Sequence, residues 1–420
     1  MLCALLGLGG LATGATGPLL SNFLPVLVAQ ALTTNRTAIG AVMAIDNLLM
    51  LLLVPWTGAA SDRATSRGGG RLNLLLAGVV LAAVGMTALA FAASLRIVLL
   101  VLAIVVLYTG IHIQRSPFQA LIADLVESRH RSAATSSVTL MMCIGAILFL
   151  GMANLFAMRL AFLAAAATLL AITVLFATRL NEGRPAGHQS PADESVASLL
   201  SFLKSSVFSW RSAVPAMRPI FIASFCLQLT FQTFTTWFAL HATERFGLAA
   251  EEATLGFMAW AVGGVLGSVP AGIIGTRIGR RPAILLGLGM MAACLLAIDR
   301  IASFGQAIPL LLLASASWAL PTVNAFPLFV EPLPRERRGI LSALYLLSMA
   351  LGGLIGDPLN GRLFDLLDSY RSLFVVMAVY ASVAFLTVLQ IPPGVGEAVT
   401  QPLVTTNEAA DAYPVSDPSA

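Results

Sequence analysis

The sequence contains little charge for its length. Charged residues make up 10% of its 420 positions, whereas a soluble domain carries about 25%. Hydrophobic residues make up 58% of the chain, and its mean hydropathy is +0.89. A chain of this composition has too few polar residues to cover a soluble globule, so its main solvent is predicted to be lipid.

Cysteine spacings, catalytic motifs and basic surfaces are also scarce. The four cysteines lie within apolar runs, without metal-ligand or disulfide spacing, and are predicted to be packing residues: Cys3, Cys143, Cys226 and Cys294. No His-rich metal cluster, phosphate-binding loop or nucleophile motif occurs, so we expect no enzyme activity and no cofactor. The pI is 9.1, but the basic residues are scattered, so no nucleic-acid partner is predicted.

Long apolar runs are the main feature of the chain. A helix needs about 20 mostly apolar residues to cross a bilayer. Twelve such runs occur, near 2–28, 38–60, 72–92, 96–116, 134–155, 158–178, 218–241, 252–275, 283–299, 305–327, 339–360 and 372–391. Each is predicted to be a helix, because lipid offers no partner for unpaired backbone groups and the alternating pattern of a barrel is absent. The first run lacks a basic leader, so it is predicted to be a span rather than a cleaved signal.

Two polar features repeat between the halves of the chain. A Gly-x-x-x-(Asp/Thr)-Arg turn begins at Gly58 and again at Gly272, 214 residues later. An acid followed seven residues later by arginine recurs at an offset of 207: Asp124 with Arg131, then Glu331 with Arg338. These repeats predict an all-α integral membrane fold with two pseudo-symmetric six-helix bundles. That arrangement is typical of secondary transporters, whose halves rock about a central site.

The basic residues predict the orientation and the domain limits. Sixteen of the 24 lie in one set of connections, seven in the other, and Arg115 lies within a span, which places both termini in the cytoplasm. The predicted parts are an N-terminal bundle (1–180), a cytoplasmic linker (181–217), a C-terminal bundle (218–391) and a disordered cytoplasmic tail (392–420). The linker contains a helical apolar stripe, predicted to lie on the membrane surface and hold the halves together or serve regulation.

The first half also resembles a known family. Residues 62–71 resemble the loop between the second and third helices of sugar/cation symporters in the major facilitator superfamily. Residues 115–125 are similar to the fourth-helix signature of the sucrose/proton branch. The resemblance covers residues 40–131 and implies the major facilitator fold with proton-coupled sugar or glycoside uptake. Tyr108 and Val54 stand where the relatives carry acids, so the sugar and the coupling ion, proton or sodium, stay open.

The resemblance implies a latch that closes the cytoplasmic side and breaks as the halves rock. Its residues would be Gly58, Asp62, Arg63, Asp124, Arg131, Gly272, Arg277, Arg280, Arg281, Glu331 and Arg338. The two glycines are expected to let neighbouring helices approach closely. Asp62 is expected to lie beside the start of the eleventh helix, where the helix dipole favours a carboxylate. The alternative is that these arginines only fix the topology.

Three ionisable residues within the spans are candidates for proton coupling: Asp46, His112 and Arg115. Asp46 lies 16 residues before Asp62, about 24 Å along a helix. A carboxylate at such depth costs about 3 kcal/mol or more unless it is paired, protonated or hydrated. The alternative for Asp46 is a structural carboxylate capped by Asn47 and a neighbour. Arg115 is predicted to pair with Asp46, with His112 or with substrate hydroxyls, or else with Asp124.

Polar and aromatic residues on the seventh and tenth spans predict a substrate site: Gln228, Gln232, Thr236, Trp237, Trp318 and Asn324. With Ser224, the first three form a ladder of residues four apart. Such a ladder faces a wet cavity or another helix rather than lipid. Amides and indoles together suit a sugar; the alternative is interhelical hydrogen bonding, worth about 0.6 kcal/mol per bond. Asp357 is expected near the outer surface, in a rim salt bridge.

The leading functional prediction is a monomeric proton-coupled symporter for a sugar-like small molecule in the cell membrane, with protons and the lipid bilayer as its other partners. The first alternative is a proton-driven drug or metabolite efflux pump on the same fold. It is supported by five phenylalanines of the seventh span: Phe221, Phe225, Phe231, Phe234 and Phe238. An integral-membrane enzyme and a non-transporting sensor are the remaining alternatives.

Overall fold

The computed structural model describes residues 2–32, 35–66, 71–92, 96–126, 131–179, 218–330 and 335–391. These form twelve helices: α1 (Leu2–Leu32), α2 (Arg36–Ser66), α3 (Arg71–Leu89), α4 (Ile97–Leu125), α5 (Arg131–Leu155), α6 (Met158–Arg179), α7 (Arg218–Phe246), α8 (Ala250–Ile278), α9 (Arg280–Arg300), α10 (Phe304–Val330), α11 (Arg335–Leu367) and α12 (Leu373–Leu389). Each predicted run overlaps one helix, which confirms the predicted fold class. The predicted linker helix and C-terminal tail lie outside the described residues.

Within the described ranges, nine helices are long and apolar enough to cross a membrane. Helix α12 is apolar but has 17 residues. Helices α7 and α11 are not among the nine, and both carry buried polar residues, among them Thr233, Asp357 and Asn360. A buried polar residue within a span faces protein or a cavity rather than lipid, so these parts of the two helices face the protein interior.

The helices pack in two groups that repeat each other. In the first group, α1 packs on α5, α2 on α4, and α3 on both α4 and α6. Adding six to each number gives the contacts of the second group: α7 with α11, α8 with α10, and α9 with α10 and α12. The groups meet through α2 against α11, α5 against α8, and α1 against α7. The fold is therefore two pseudo-symmetric six-helix halves, as the sequence repeats predicted.

Glycines let several of these helix pairs approach closely. The Cβ of an alanine at Gly10 in α1 would overlap the carbonyl oxygen of Val138 in α5. An alanine at Gly267 in α8 would overlap the backbone of Ala316 in α10 in the same way. Small residues at membrane helix interfaces permit such backbone contact, which favours dispersion and weak hydrogen bonds.

The two glycines that begin the repeated turns differ from each other. A Cβ at Gly58 would lie 3.3 Å from the Oγ of Ser116 on α4, so the expected close approach is present there. No described atom lies within 4 Å of a Cβ at Gly272, so the described residues show no close approach at this position. One turn later, Gly275 makes the close contact instead, against Asn324 of α10.

The two faces of the helix bundle are named from the chain itself. The terminal side is the side on which α1 begins and α12 ends, and the far side is the opposite one. Among the described residues, the hydrogen bonds between the halves all involve a far-side helix end. Asn22 donates to the carbonyl of Ala250 at 2.8 Å, and Asn154 donates to that of Glu251 at 2.9 Å. Further bonds join the start of α2 to the end of α11. The structure is thus closed on its far side.

Candidate functional site

A carboxylate and an imidazole meet deep within the first half. Asp46 lies ten residues after the first residue of α2, about 15 Å from the far-side end of that helix. Its Oδ1 lies 2.8 Å from the Nε2 of His112 on α4. The imidazole is buried, and the Asp46 side chain is 35% exposed. Tyr108 lies one turn before His112 and stacks on its ring, with centroids 6.3 Å apart. This pair can hold a proton on either partner.

Arg115 lies near this pair but does not join it. Its Nη1 is 3.3 Å from the sulfur of Met50 on α2. The described part of the chain places no carboxylate in a salt bridge with Arg115, so the predicted pairing with Asp46 is absent from this conformation. Of the other predicted partners, His112 contacts Asp46 instead, and Asp124 has a side chain outside the described residues.

Arg115 instead lines a cavity of about 640 Å³ inside the first half. The cavity is lined by parts of α1, α3, α4, α5 and α6. Its polar lining consists of Thr13, Thr16, Gln114, Arg115, Gln119, Thr135 and Thr173. Small-molecule sites usually have volumes of about 300–1,000 Å³, with a few polar groups among apolar walls. Arg115 is the one charged group among the described lining residues.

The polar ladder of α7 faces α11. Gln232 donates from Nε2 to the Oδ2 of Asp357 at 2.8 Å, and the same nitrogen lies 3.4 Å from the hydroxyl of Thr236. Gln228 packs against Gly352. A Cβ added at Gly352 would lie 2.9 Å from the Cβ of Gln228. Both glutamines are partly exposed, whereas Thr236 is buried. The ladder therefore lies at the contact between α7 and α11. In this conformation Gln232 forms an interhelical hydrogen bond, which is the alternative to substrate binding.

The expectation for Asp357 is wrong. The residue is 0% exposed and forms no salt bridge with any described residue, whereas the sequence predicts a rim position in an outer salt bridge. The reason is the length of α11, which continues for ten residues beyond Asp357 to Leu367. Ten helical residues correspond to about 15 Å, which places the carboxyl group well inside the bundle.

The remaining predicted substrate residues lie in packing positions or beside them. Trp237 is fully buried, with its ring 5.3 Å from that of Phe364. Asn324 donates to the carbonyl of Ala271 on α8 at 3.0 Å and is also buried. Trp318 is half-buried, and its ring stacks on Phe231 of α7 at 5.2 Å. A role in substrate binding stays a prediction for all three.

The predicted cytoplasmic latch falls mostly on undescribed atoms. The side chains of Asp62, Arg63, Asp124, Arg131 and Arg338, and the whole of Glu331, lie outside the described residues. Arg277 is exposed at the end of α8, and Arg280 is half-buried at the start of α9. Arg281 donates to the carbonyl of Leu389 at 3.0 Å, a contact within the second half. The latch stays a prediction.

A second latch, which the sequence reasoning missed, closes the far side. Asp365 near the end of α11 accepts hydrogen bonds from the backbone nitrogens of Arg36 and Thr37, at 2.9 and 2.8 Å, and from the Thr37 hydroxyl. Arg36 also pairs with Asp368 at 2.9 Å and lies over the ring of Tyr370. We call these five residues the far-side latch. A carboxylate from one half thus caps the first turn of a helix from the other.

These features define a polytopic α-helical membrane protein of two related halves, with buried ionisable groups in its interior and a small-molecule-sized cavity inside the first half. A family model described as the Major Facilitator Superfamily matches residues 5–257 and, in a second match, 220–406. The chain belongs to the Major Facilitator Superfamily, a family of membrane transporters. No curated protein sequence matches the chain.

Solved transporter structures share the fold. The chain is similar to a D-xylose-proton symporter, with 16% identity, a TM-score of 0.68, and coverage of 94% of this chain and 98% of that one. It is similar to the nucleoside transporter NupG, with 14% identity, a TM-score of 0.73, and coverage of 93% and 99%. It is also similar to the peptide transporter POT, with 16% identity, a TM-score of 0.70, and coverage of 94% of each chain. These likenesses establish the fold, and the three proteins transport different classes of solute by name.

Proposed function

We propose that the protein is a proton-coupled transporter that takes up a sugar or glycoside by alternating access. The observation that carries this proposal is the contact between Asp46 and His112, at 2.8 Å within the first half. Carboxylates within membrane spans are costly and commonly mark proton pathways. Histidine is the side chain whose charge ordinarily changes between pH 5 and 8. A pair of these groups between packed helices suits the loading and release of one proton.

A hydroxyl-rich solute is favoured by the residues around the cavity. Gln114, Gln119 and several threonines offer donors and acceptors without a fixed negative charge. The resemblance of residues 40–131 to sugar/cation symporters supports the same class of solute.

The efflux alternative loses part of its support. Phe221, Phe234 and Phe238 are buried, at 3%, 0% and 0% exposure, so they pack the core of the second half. Phe234 stacks on Trp260 with ring centroids 4.2 Å apart, and Phe238 lies against Phe257. Phenylalanines used in this way do not line an apolar cavity for drugs.

The proposed orientation places the terminal side in the cytoplasm, because that side carries most of the basic residues. Both termini of this monomeric, multi-pass protein of the cell membrane would then be cytoplasmic. The far-side latch would close the outer face, and the conformation would be inward-facing. The predicted latch around Asp62, Arg131 and Arg338 would close the cytoplasmic face in the opposite state. The halves proposed to move are residues 1–180 and 218–391.

Uptake into proteoliposomes with an imposed pH gradient tests this function. The panel contains D-xylose, D-glucose, sucrose and maltose. The wild-type protein is expected to accumulate at least one sugar when the gradient drives protons in the transport direction. Asp46→Asn is expected to abolish accumulation while it retains counterflow exchange, because the binding site survives and the proton carrier is lost. Asp299→Asn, at the far-side end of α9, is the matched control and is expected to behave as wild type.

Each of three results would contradict a different part of the proposal. Accumulation that survives in Asp46→Asn would remove Asp46 from the coupling role. Absence of sugar accumulation in the wild type would remove the sugar class. Proton-driven extrusion of apolar dyes by the wild type, without sugar uptake, would favour the efflux alternative.

A further inference from the structure

Asp357 is a buried acid that the proposed mechanism does not yet use. It lies on α11, with 0% exposure, where the second half meets α2 of the first. Its Oδ2 accepts the 2.8 Å hydrogen bond from Gln232. Its Oδ1 is sealed from solvent and has no hydrogen-bond partner among the described residues. A group in this position needs a ligand for the second oxygen or must be neutral.

The surroundings of Asp357 favour a proton as that ligand. An ionised carboxylate with an unpaired oxygen is strongly disfavoured in a membrane interior. A metal cation would need several oxygen ligands, and the described residues contain no group of three His, Cys, Asp or Glu side chains that could hold one. The titratable groups that face Asp357 are Asp46 from α2 and Tyr108 from α4; its neighbours on α7 are the neutral Gln232 and Thr236. None of these groups supplies a positive charge.

Access to Asp357 is controlled by the contact between α2 and α11. An alanine Cβ at Gly40 of α2 would overlap the carbonyl oxygen of Asp357, so the two backbones touch at this level. Two helical turns further along α11, Asp365 holds the start of α2 through the far-side latch. Separation of α2 from α11 would therefore open a path to Asp357 from the far side.

We propose that Asp357 is a second proton-binding site, loaded from the far side while the latch is open and sealed when α2 closes over it. The inference rests on the proposed function, in that closure is a step of proton-coupled alternating access. Closure over an ionised Asp357 is unfavourable, because it would bury an unpaired charged oxygen. The protein therefore closes its far side with the acid neutral, and each closure carries this proton together with the one at the Asp46–His112 pair.

Infrared difference spectroscopy on the purified full-length protein tests the occupancy of the site. A protonated carboxyl group in an apolar setting gives a C=O stretching band that an ionised carboxylate lacks. The wild-type protein is expected to show this band at neutral pH, and Asp357→Asn is expected to lose it. Asp299→Asn is expected to keep it. Absence of the band in the wild type, or its persistence in Asp357→Asn, would overturn the proposal.

A second measurement separates a loaded site from a permanently neutral structural acid. Asp365→Ala removes the cap that holds α2 against α11, so the open state gains population and Asp357 exchanges its proton with bulk solution. The band is then expected to disappear at a pH up to about one unit lower than in the wild type. Thr37→Val weakens the same latch more gently and is expected to shift the band in the same direction, should Asp365→Ala fail to fold.

The result that contradicts gating is an identical pH response of the band in the wild type and in a folded latch variant. Neither measurement requires a transported solute. The sugar proposal can therefore fail in the uptake assay while this inference stands. In the same way, this inference can fail while gradient-driven uptake through Asp46 stands.

Discussion

Two aspartates approach the boundary between the halves from opposite sides, and their surroundings differ. Asp46 is partly exposed and contacts the imidazole of His112. Asp357 is sealed and accepts one amide hydrogen bond from Gln232. An acid beside an imidazole can exchange its proton within the pair, whereas an acid beside an amide must exchange with water or another acid. The first is suited to release and the second to storage.

Glycine-to-alanine substitutions should distinguish glycines at close helix contacts from glycines without a close neighbour. Gly267→Ala is expected to destabilise the protein by about 1–3 kcal/mol, because the added carbon overlaps the backbone of Ala316. Gly272→Ala is the matched control on the same helix, and is expected to be neutral or slightly stabilising, because its Cβ meets no described atom within 4 Å. Thermal unfolding followed by tryptophan fluorescence measures both. Equal midpoints for the two variants would contradict this assignment of the α8–α10 contact.

For single residues, the sequence predicted the depth in the membrane better than it predicted the contacting side chains. The helical rise placed Asp46 within the membrane core from its spacing to Asp62 alone, since rise per residue is a local property. Its contact with His112 joins residues 66 positions apart, and no local pattern specifies such a pair. Asp357 was misplaced because the apolar run ends at residue 360, whereas α11 continues to Leu367.

Among the helices, α2 and α11 depend most on each other. Helix α2 presents unpaired amides at its first turn, as every helix does, and Asn35 satisfies the one at Ala38. Asp365 satisfies the amides of Arg36 and Thr37 from the opposite half. The local part of this cap could be read from the sequence, because Asn35 directly precedes the helix. The remote part could not, since it requires the two halves to be closed.

Removal of the remote cap should open the far side. Asp365→Ala is expected to destabilise the closed state by about 1–2 kcal/mol, which raises the open population about five- to thirtyfold. Spin labels on Arg96→Cys and Arg300→Cys, with the native cysteines replaced by serine, would report the far-side separation by pulsed electron resonance. A longer-distance population is the expected result.

Asp368→Ala is the control for this experiment. Its carboxylate pairs with Arg36 at 2.9 Å, but the side chain is 94% exposed, and exposed ion pairs contribute little. It should leave the distance distribution close to that of the wild type. Equal opening by both variants would show that charge attraction, rather than the helix cap, holds the far side closed.

Helix existence followed from hydropathy, whereas helix ends did not. Helices α2 and α11 contain 31 and 33 residues, about 46 and 50 Å, whereas a bilayer core is about 30 Å thick. Their charged ends extend beyond the apolar runs, so a search for apolar residues stops short of them. Arg36, Thr37 and Asp365 of the far-side latch lie in these extensions.

For the molecule as a whole, the repeats in the sequence predicted the symmetry of the packing. The contacts of α1 to α6 recur in α7 to α12, and the contacts between halves follow the same relation. What the repeats left open is which face is closed, because both conformations of a two-half transporter satisfy the same repeats. That choice depends on contacts such as Asn154 with the backbone of Glu251.

Reporter fusions test the orientation of the whole chain. A green fluorescent protein after Ala420 is expected to fluoresce, because the terminal side is predicted to face the cytoplasm. Alkaline phosphatase inserted at residues 301–303, between α9 and α10 on the far side, is expected to be active outside the cell. A dark C-terminal fusion together with an inactive phosphatase would reverse the orientation, and with it the direction assigned to transport.

The cap supplied by Asp365 makes the far-side closed state sensitive to the outside medium. When α2 and α11 part, the amides of Arg36 and Thr37 and the guanidinium of Arg36 lose the acceptors they have in the closed state. Small anions dissolved in the surrounding fluid can occupy that vacated position, as they do at other helix starts. The anions of the surrounding medium, chloride or phosphate in particular, would then influence the lifetime of the state that is open on the far side.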